Sequence, residues 1–470
     1  MIVRIARKEF TEMIRDGRFR LAGAIVFALL VVALLTGWKR HVDVSRQHAV
    51  ALQTQRDLWL SQGAKNPHSA AHYGYYVFKP KLALSALDQG LDPYLGVSLF
   101  LEAHKQNTAN YRPIEEATPV QRFGELTAAA TLQGLIPLLI VLLAYAAFAG
   151  EREQRTLRQL LSLGMDRKDL ALGKALGVAS PLLLLLIPAT AIGVVAMALH
   201  SGAQSITMDL PRLAMMVAVY IVYFAVFIGL VLIVSALAPS SRTALVILLG
   251  FWFFNCLVAA RIASDAAKSA HPAPSAIQFN QGIAKEAKGH GEWDDQVKAV
   301  KARLMTQHNV TDAKLLPVNP EAVALDEGER RDALIYEKHF NRLNDIYQSQ
   351  HRVYQSGAIF APMLAVQSLS MGLSGTDFAQ HRHFNEAAER YRRALVNMLN
   401  QEIIAQGNSE LIWDFKGDRG LWEKAAPFSY TAPGLGWALG NHAPSLALLA
   451  LWLVAVAIVT PLVVARVKVD

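Results

Sequence analysis

The sequence predicts an all-α polytopic membrane protein with six transmembrane helices, an N-terminal amphipathic helix and two large extracytoplasmic inserts, the second mostly helical. Three observations carry that expectation. Hydrophobic residues make up 53% and charged residues 18% of the 470-residue chain, against about 25% charged in soluble domains. Six apolar runs without Asp, Glu, Lys or Arg occupy residues 21–38, 126–150, 175–199, 213–241, 243–260 and 443–465. Each approaches the ~20 residues that cross a hydrocarbon core of roughly 30 Å. No strand-like alternation stands out and nothing recurs at a fixed period.

In chain order, residues 1–20 form a basic leader. Ile2, Ile5, Ala6, Phe10, Met13 and Ile14 are spaced to share one helix face, with charges between them, so this segment predicts an amphipathic helix lying at the membrane surface. Span one follows at 21–38. It is too long for a signal-peptide core, and the next residues, Thr36, Gly37, Trp38, Lys39 and Arg40, offer no cleavage site. The first insert covers 39–125, punctuated by Pro67, Pro80, Pro93, Pro113 and Pro119, and reads as mixed loop and helix. Span two is 126–150, a charged loop 151–174, span three 175–199, span four 213–238 and span five 243–260. The second insert, 261–442, contains two helical periods: Tyr336, Phe340, Leu343 and Tyr347, then Phe384, Ala388, Tyr391, Leu395 and Met398. The uncharged stretch 353–376 is diluted by Ser, Gln and Gly, and predicts a buried or interfacial segment rather than a seventh span. Span six is 443–465, and 466–470 is a short tail.

Charge sets the orientation. Arg4, Arg7, Lys8, Arg15, Arg18 and Arg20 precede span one; Arg152, Arg155, Arg158, Arg167, Lys168 and Lys174 lie between spans two and three; Arg242 follows span four and Arg466 and Lys468 follow span six. Six spans place all of these on one side, which predicts a multi-pass protein of a bacterial cytoplasmic (inner) membrane with both termini cytoplasmic. These segments hold only eight acidic residues, so they account for +7 of the formal +8. The pI near 9.4 therefore reflects topology and anionic lipid, not a nucleic-acid surface.

Several chemistries have no footing. The chain has no Walker-type phosphate loop, His-Glu-x-x-His, Gly-x-Ser-x-Gly or Cys-x-x-Cys. The apolar runs contain no ionisable carboxylate or amine for proton-coupled transport. Asp377, His381 and His383 offer metal-ligand side chains, but His381 and His383 at i and i+2 do not share a helix face, so no metal is expected. Cys256, the single cysteine, lies in span five and adds no disulfide.

The loop 151–174 is the most informative segment. Leu157, Leu160 and Leu161 predict a short helix stopped by Gly164, and Asp166 can cap a second helix that continues into span three. Glu151, Glu153, Thr156, Leu157, Leu160, Leu161, Ser162, Arg167, Gly173 and Lys174 resemble the signature of ABC-2 type permeases, the membrane subunits of ATP-driven transporters. Arg155 stands where that family usually has Gly, and Gly164 where it usually has Pro. The leader resembles the family's elbow helix, with Lys8, Glu9, Arg15 and Asp16 as matching positions. Ala361, Pro362, Gln367, Ser374, Gly375, Thr376, Asp377, Phe384, Glu389, Tyr391 and Arg392 resemble an ABC-2 subgroup with large external inserts and no settled function.

The resemblance implies a non-catalytic permease subunit whose loop between spans two and three is a coupling helix. It assigns ATPase coupling to Glu151, Arg152, Glu153, Thr156, Leu157, Leu160, Leu161, Ser162, Arg167 and Lys174. No cofactor is expected in this chain; ATP and Mg belong to cytoplasmic ABC ATPase subunits. Further expected partners are a second permease copy or a related permease, membrane lipid and a periplasmic partner. The implied function is export of a hydrophobic or amphipathic substrate. The alternative is a mechanotransmission or envelope-assembly protein whose external domains are moved without transport, and an external enzyme is the weakest reading because no catalytic constellation is present.

Overall fold

The computed structural model describes residues 1–112, 115, 126–162, 164–200, 203–289, 291–409 and 412–467. Lys468 and Asp470 of the basic tail, and Pro113 and Pro119 of the first insert, lie outside them. Among the described residues six helices are long and apolar enough to cross a bilayer, and they coincide with the six apolar runs. The chain is an all-α polytopic membrane protein.

Helix α1 (Ile2–Arg15) leads into α2 (Gly17–Leu60), whose 44 residues reach about 66 Å at 1.5 Å per residue. That is roughly twice a bilayer core. Span one is its first part. The helix does not stop where the apolar run does, because residues 39–60 contain neither Gly nor Pro and charge alone does not break a helix. Beyond it, α3 (Pro67–Tyr73) is capped by Asn66, whose side chain accepts from the His68 amide. Strands β1 (Tyr75–Phe78) and β2 (Ser98–Leu101) pair antiparallel, with Tyr75 opposite Leu101 and Val77 opposite Leu99. This ribbon adds a short sheet to the mixed loop and helix expected of the first insert; four-residue strands are too short for alternation to stand out from a loop.

Span two (Ala128–Glu153) contains a π turn at Thr131–Leu135, and span five (Ser241–Ala270) another at Phe254–Val258. Between spans two and three lies α4 (Thr156–Ser162). Span three occupies Arg167–Val195 and span four Asp209–Leu237, so the latter includes Asp209 and Arg212. The absence of charge therefore holds for the apolar runs but not for the longer helices that contain them. Both residues are buried.

In the second insert, helices Ala276–Lys288 and Trp293–Gln307 pack on α5 (Pro320–Ser356). After a 3-10 turn at Gly357–Ile359 comes α6 (Pro362–Ser374), almost wholly buried. The 13 residues of α6 span about 20 Å, too short to cross. Instead α6 packs against spans four and six, and the turn before it reaches mid-depth. Trp452, the tenth residue of span six (Ala443–Ala465), donates its indole N–H to the Ala358 carbonyl at 2.8 Å. Arg212 closes the other end of α6, donating to the carbonyls of Gly372 at 3.3 Å and Leu373 at 2.9 Å and to Pro433 at 2.6 Å. The stretch 353–376 is thus a buried segment that enters and returns.

The two inserts share one core. α7 (Phe378–Ile404) buries Phe384, Ala388 and Leu395, the face its spacing predicts, against Tyr75, Val77 and Leu99 of the β ribbon. Trp422 of α8 (Arg419–Lys424), fully buried, stacks edge-on with Trp59 of α2 at 5.8 Å between centroids. Buried Glu389 is bidentate to Arg392, with both contacts at 2.8 Å, and Arg392 reaches the Glu102 carbonyl of the first insert at 3.1 Å.

Asp377 joins this body to span six. One oxygen caps α7 at the Gln380 amide (3.1 Å) and the other meets His442 Nε2 at 2.8 Å. Burial opposes ionisation of Asp377, but the His442 contact and the capped amide outweigh it and hold the carboxyl below its ordinary 3.8. The sign follows from linkage: a depressed carboxylate adds stability above its unfolded value and loses it as pH falls through its folded value. Asp377→Asn is therefore expected to flatten the acid side of the melting-temperature profile below about pH 4, measured in detergent as the difference from the unsubstituted chain. An identical profile overturns the assignment.

Candidate functional site

The basic end of the molecule is organised around span three. Its first turns carry Gly173 and Gly177, one helical turn apart, and α1 lies directly on them. A Cβ at Gly173 would come within 2.5 Å of the Ile5 Cβ, and one at Gly177 would collide with Glu9. Small residues at this spacing let two helix backbones approach closely. The buried face of α1 consists of Ile5, Glu9 and Met13, so its apolar stripe is met by protein, and one carboxylate goes in with it.

That carboxylate has a partner. Lys174 Nζ, 1% exposed, sits 2.8 Å from Glu9 Oε1 and 2.8 Å from Glu151 Oε1. Lys8 adds a second cation, 3.7 Å from Glu9, 3.8 Å from Glu151 and 3.4 Å from Glu12. Burial of Lys8 is more than offset by the three carboxylates, and its ammonium is held above the usual lysine value. Two cations thus stand between carboxylates from α1 and the inter-span loop.

The rest of the loop is tied to the neighbouring spans. Arg152 donates to the carbonyls of Ala236 at 3.1 Å and Ala238, at the end of span four. Glu153 accepts from the Ser241 amide at 2.8 Å and its hydroxyl at 2.7 Å, at the start of span five. Thr156 bonds the Glu151 carbonyl at 3.1 Å. Arg167 donates to the carbonyls of Ala465, the last residue of span six, and of Val467 just beyond it. Leu157 is buried, and Leu160 and Leu161 pack partly against the same core. Ser162 bonds within its own turn, to the Gln159 carbonyl at 2.8 Å.

The structure therefore brings Glu9, Glu151, Lys174 and Lys8 together and fastens Arg152, Glu153 and Arg167 to spans four, five and six. Arg15 and Asp16, at the far end of α1, lie outside that group and are exposed. The surface that α4 and its approach leave exposed is made by Glu153, Gln154, Arg155, Arg158, Gln159 and Ser162. Arg155 has φ +61° and Gly164 φ +77°. The left-handed conformation at position 155 accounts for the Gly usual there in the resembling permeases; an L side chain adopts it at a cost of roughly 1–2 kcal/mol. Asp377, His381 and His383 are not convergent: they bond His442, Asn385 and Tyr430 respectively.

Sequence reasoning missed that Glu151 turns inward to Lys174 while Glu153 stays exposed and is tied to Ser241. Isolated charges in a charged loop carry no periodic signal. Gly173-x-x-x-Gly177 on the first turns of span three was the available clue that another helix would lie there.

Six spans clasped by one short loop, with a mixed α/β-ribbon body on the far end, define a multi-pass membrane subunit. Residues 3–312 match the family described as ABC-2 family transporter protein, and residues 276–431 match a domain of unknown function, DUF3526. The first match covers more than half of the chain, and the protein belongs to the ABC-2 transporter family. It is a membrane permease subunit of an ABC transporter, a class that associates with an ABC ATPase. Among curated proteins none matches.

Removing one member of a buried ion pair typically costs about 3–5 kcal/mol, whereas replacing all members by neutral groups costs far less. Lys174→Met is expected to destabilise the permease in that range, read as a drop in melting temperature in detergent. The triple exchange Glu9→Gln, Glu151→Gln and Lys174→Met should recover most of it. No recovery would mean that the lysine acts through packing alone.

Proposed function

We propose that this permease exports an amphipathic substrate across the bacterial cytoplasmic membrane, with both termini cytoplasmic, as a dimer with a second copy or a related permease. ATP and Mg reside in cytoplasmic ATPase subunits that dock on α4. The observation that carries the export reading is a pair of adjoining cavities. One, of about 600 Å³, lies among spans one to four, and its lining is apolar except for Trp38, Thr190, Tyr220 and Ser370. The other, of about 1010 Å³, opens above it and is lined by Arg40, Asp88, Tyr94, Gln133, His351 and Gln367 among others. Ala129 lines both. An apolar tail and a polar head would be accommodated by the two compartments in that order.

A second reading, transmission of motion to the external body without transport, is favoured by the long rods. α2 runs unbroken from span one to Trp59, and α5 runs from the external body to mid-depth. Blocking the shared wall separates the two. In proteoliposomes containing the ATPase complex, Ala129→Trp is expected to abolish ATP-dependent movement of a headgroup-labelled phospholipid while basal ATP hydrolysis persists. Unchanged movement would overturn the cavity route.

For docking, the exposed arginines replace the carboxylates as the side chains to test, because Glu151 and Glu153 are occupied within the chain. Arg155→Glu with Arg158→Glu is expected to weaken copurification of the ATPase about tenfold or more, with the melting temperature of the permease unchanged. Association at the original level would remove α4 from the contact.

A further inference from the structure

On the far end of the molecule from α4, three imidazoles converge. α3 opens at the Asn66 cap, which sets its register and places His68 and His72 one turn apart on the same face. The loop after β2 is pinned to α3 by the Ala103 amide bonding the Ala71 carbonyl at 3.1 Å. There the chain turns through φ +65° at His104, a conformation uncommon outside Gly, Asn, Asp and His. His68 Nε2 then lies 3.1 Å from His72 Nε2 and 3.2 Å from His104 Nε2, and the three ligand atoms all fall within 4.8 Å of one another.

Hydrogen bonds alone cannot close this arrangement. A ring nitrogen offers either one proton or one lone pair in its plane, so His68 Nε2 can satisfy one of its two close neighbours and not both. A cation seated among the three satisfies all of them. Tetrahedral zinc with Zn–N of 2.0–2.1 Å places ligand nitrogens about 3.3 Å apart, close to the two short separations.

The surroundings fit such a centre. His104 Nδ1 faces Glu329 Oε1 at 2.7 Å, and the same oxygen accepts the His104 backbone amide at 2.6 Å. Glu329 is buried beside Arg392, 3.7 Å away. A carboxylate on the outer nitrogen of a ligating histidine fixes the ring and directs the other nitrogen at the metal. His68 is buried, His104 half-buried and His72 exposed, so one side of the cluster opens to solvent. Among the described residues the cluster holds three imidazoles and neither thiolate nor carboxylate, a donor set that suits borderline ions such as Zn²⁺, Cu²⁺ and Ni²⁺ rather than Mg²⁺ or Ca²⁺.

We propose that His68, His72 and His104 form a three-imidazole site for a zinc-class divalent ion, with a fourth position open to water or an anionic ligand. Because α3 and the β2 loop belong to the first insert and Glu329 to α5 of the second, an ion there ties the inserts together independently of their apolar core.

The test uses the full chain in detergent, stripped with a chelator and titrated with Zn²⁺ against a chromophoric competitor, with Mg²⁺ as the comparison ion. One saturable equivalent of Zn²⁺ per chain, a rise in melting temperature on adding it, and no response to Mg²⁺ are expected. Glu329→Gln should weaken binding about 10- to 100-fold, and His72→Ala by more than that. His72 is exposed, so the stripped His72→Ala chain should melt where the stripped parent does; if it fails to accumulate, His72→Gln takes its place. Absence of saturable Zn²⁺ binding in the parent, or equal binding by the parent and the His72 and His104→Gln variants, overturns the site.

Discussion

Backbone amides and carbonyls inside a bilayer find no water, so each interruption of a helix at membrane depth must be closed by the protein itself. Much of the architecture follows from that constraint. The π turn in span two frees the Gln133 and Gly134 carbonyls; the Tyr223 hydroxyl donates to the first at 2.9 Å and the Trp252 indole to the second at 2.8 Å. The π turn in span five carries Asn255, which donates to Tyr223 at 3.2 Å and accepts the Met363 amide at 3.2 Å. The break in span two near Phe148 is closed by Ser235, whose hydroxyl accepts the Phe148 amide at 3.0 Å and the Ala149 amide at 3.2 Å. These polar side chains hold irregular backbone in place where no solvent is available.

The same constraint explains how α6 can end inside protein on both sides. Its first amide is taken by Asn255, the carbonyl before it by Trp452, and its last carbonyls by Arg212. A buried arginine is costly alone, and here it donates to three carbonyls, those of Gly372, Leu373 and Pro433. From Ser370 of α6 a polar path continues outward: its hydroxyl bonds Tyr220 at 3.1 Å and Asp88 of the first insert at 2.5 Å. The external body is therefore anchored to the spans through polar contacts as well as through α2 and α5. It is positioned against the bundle rather than tethered to it.

The large-scale plan was legible because it rests on long, redundant signals. A span needs some twenty apolar residues, and the leader's charge recurs in every segment on its side. The face of α7 was legible for the same reason, since Phe384, Ala388 and Leu395 repeat at a helical period. What could not be read depends on single residues meeting across long stretches of chain. Lys174 pairs with a glutamate 165 positions away, Arg212 caps a helix some 160 positions away, and the β ribbon joins two four-residue segments. The length of α2 was readable in part: residues 39–60 lack any breaker, but hydropathy ends at Trp38 and drew the boundary there. His68 and His72, one turn apart, suggested a shared face only once α3 was known to be a helix.

An element that passes force between a soluble motor and a bundle of spans has to be stiffer than the contact it makes. The loop between spans two and three meets that requirement by internal bonding. Glu151 is held with Lys174 and α1, Arg152 with the end of span four, Glu153 with the start of span five, and Arg167 with the end of span six. Displacing α4 therefore displaces the ends of four spans and the surface helix together. The carboxylates and the buried leucine supply rigidity, and Gln154, Arg155, Arg158 and Gln159 are left exposed on the outside. The left-handed backbone at Arg155 belongs to the same logic: it ends one short helix and starts α4 within two residues, so little slack separates α4 from the end of span two.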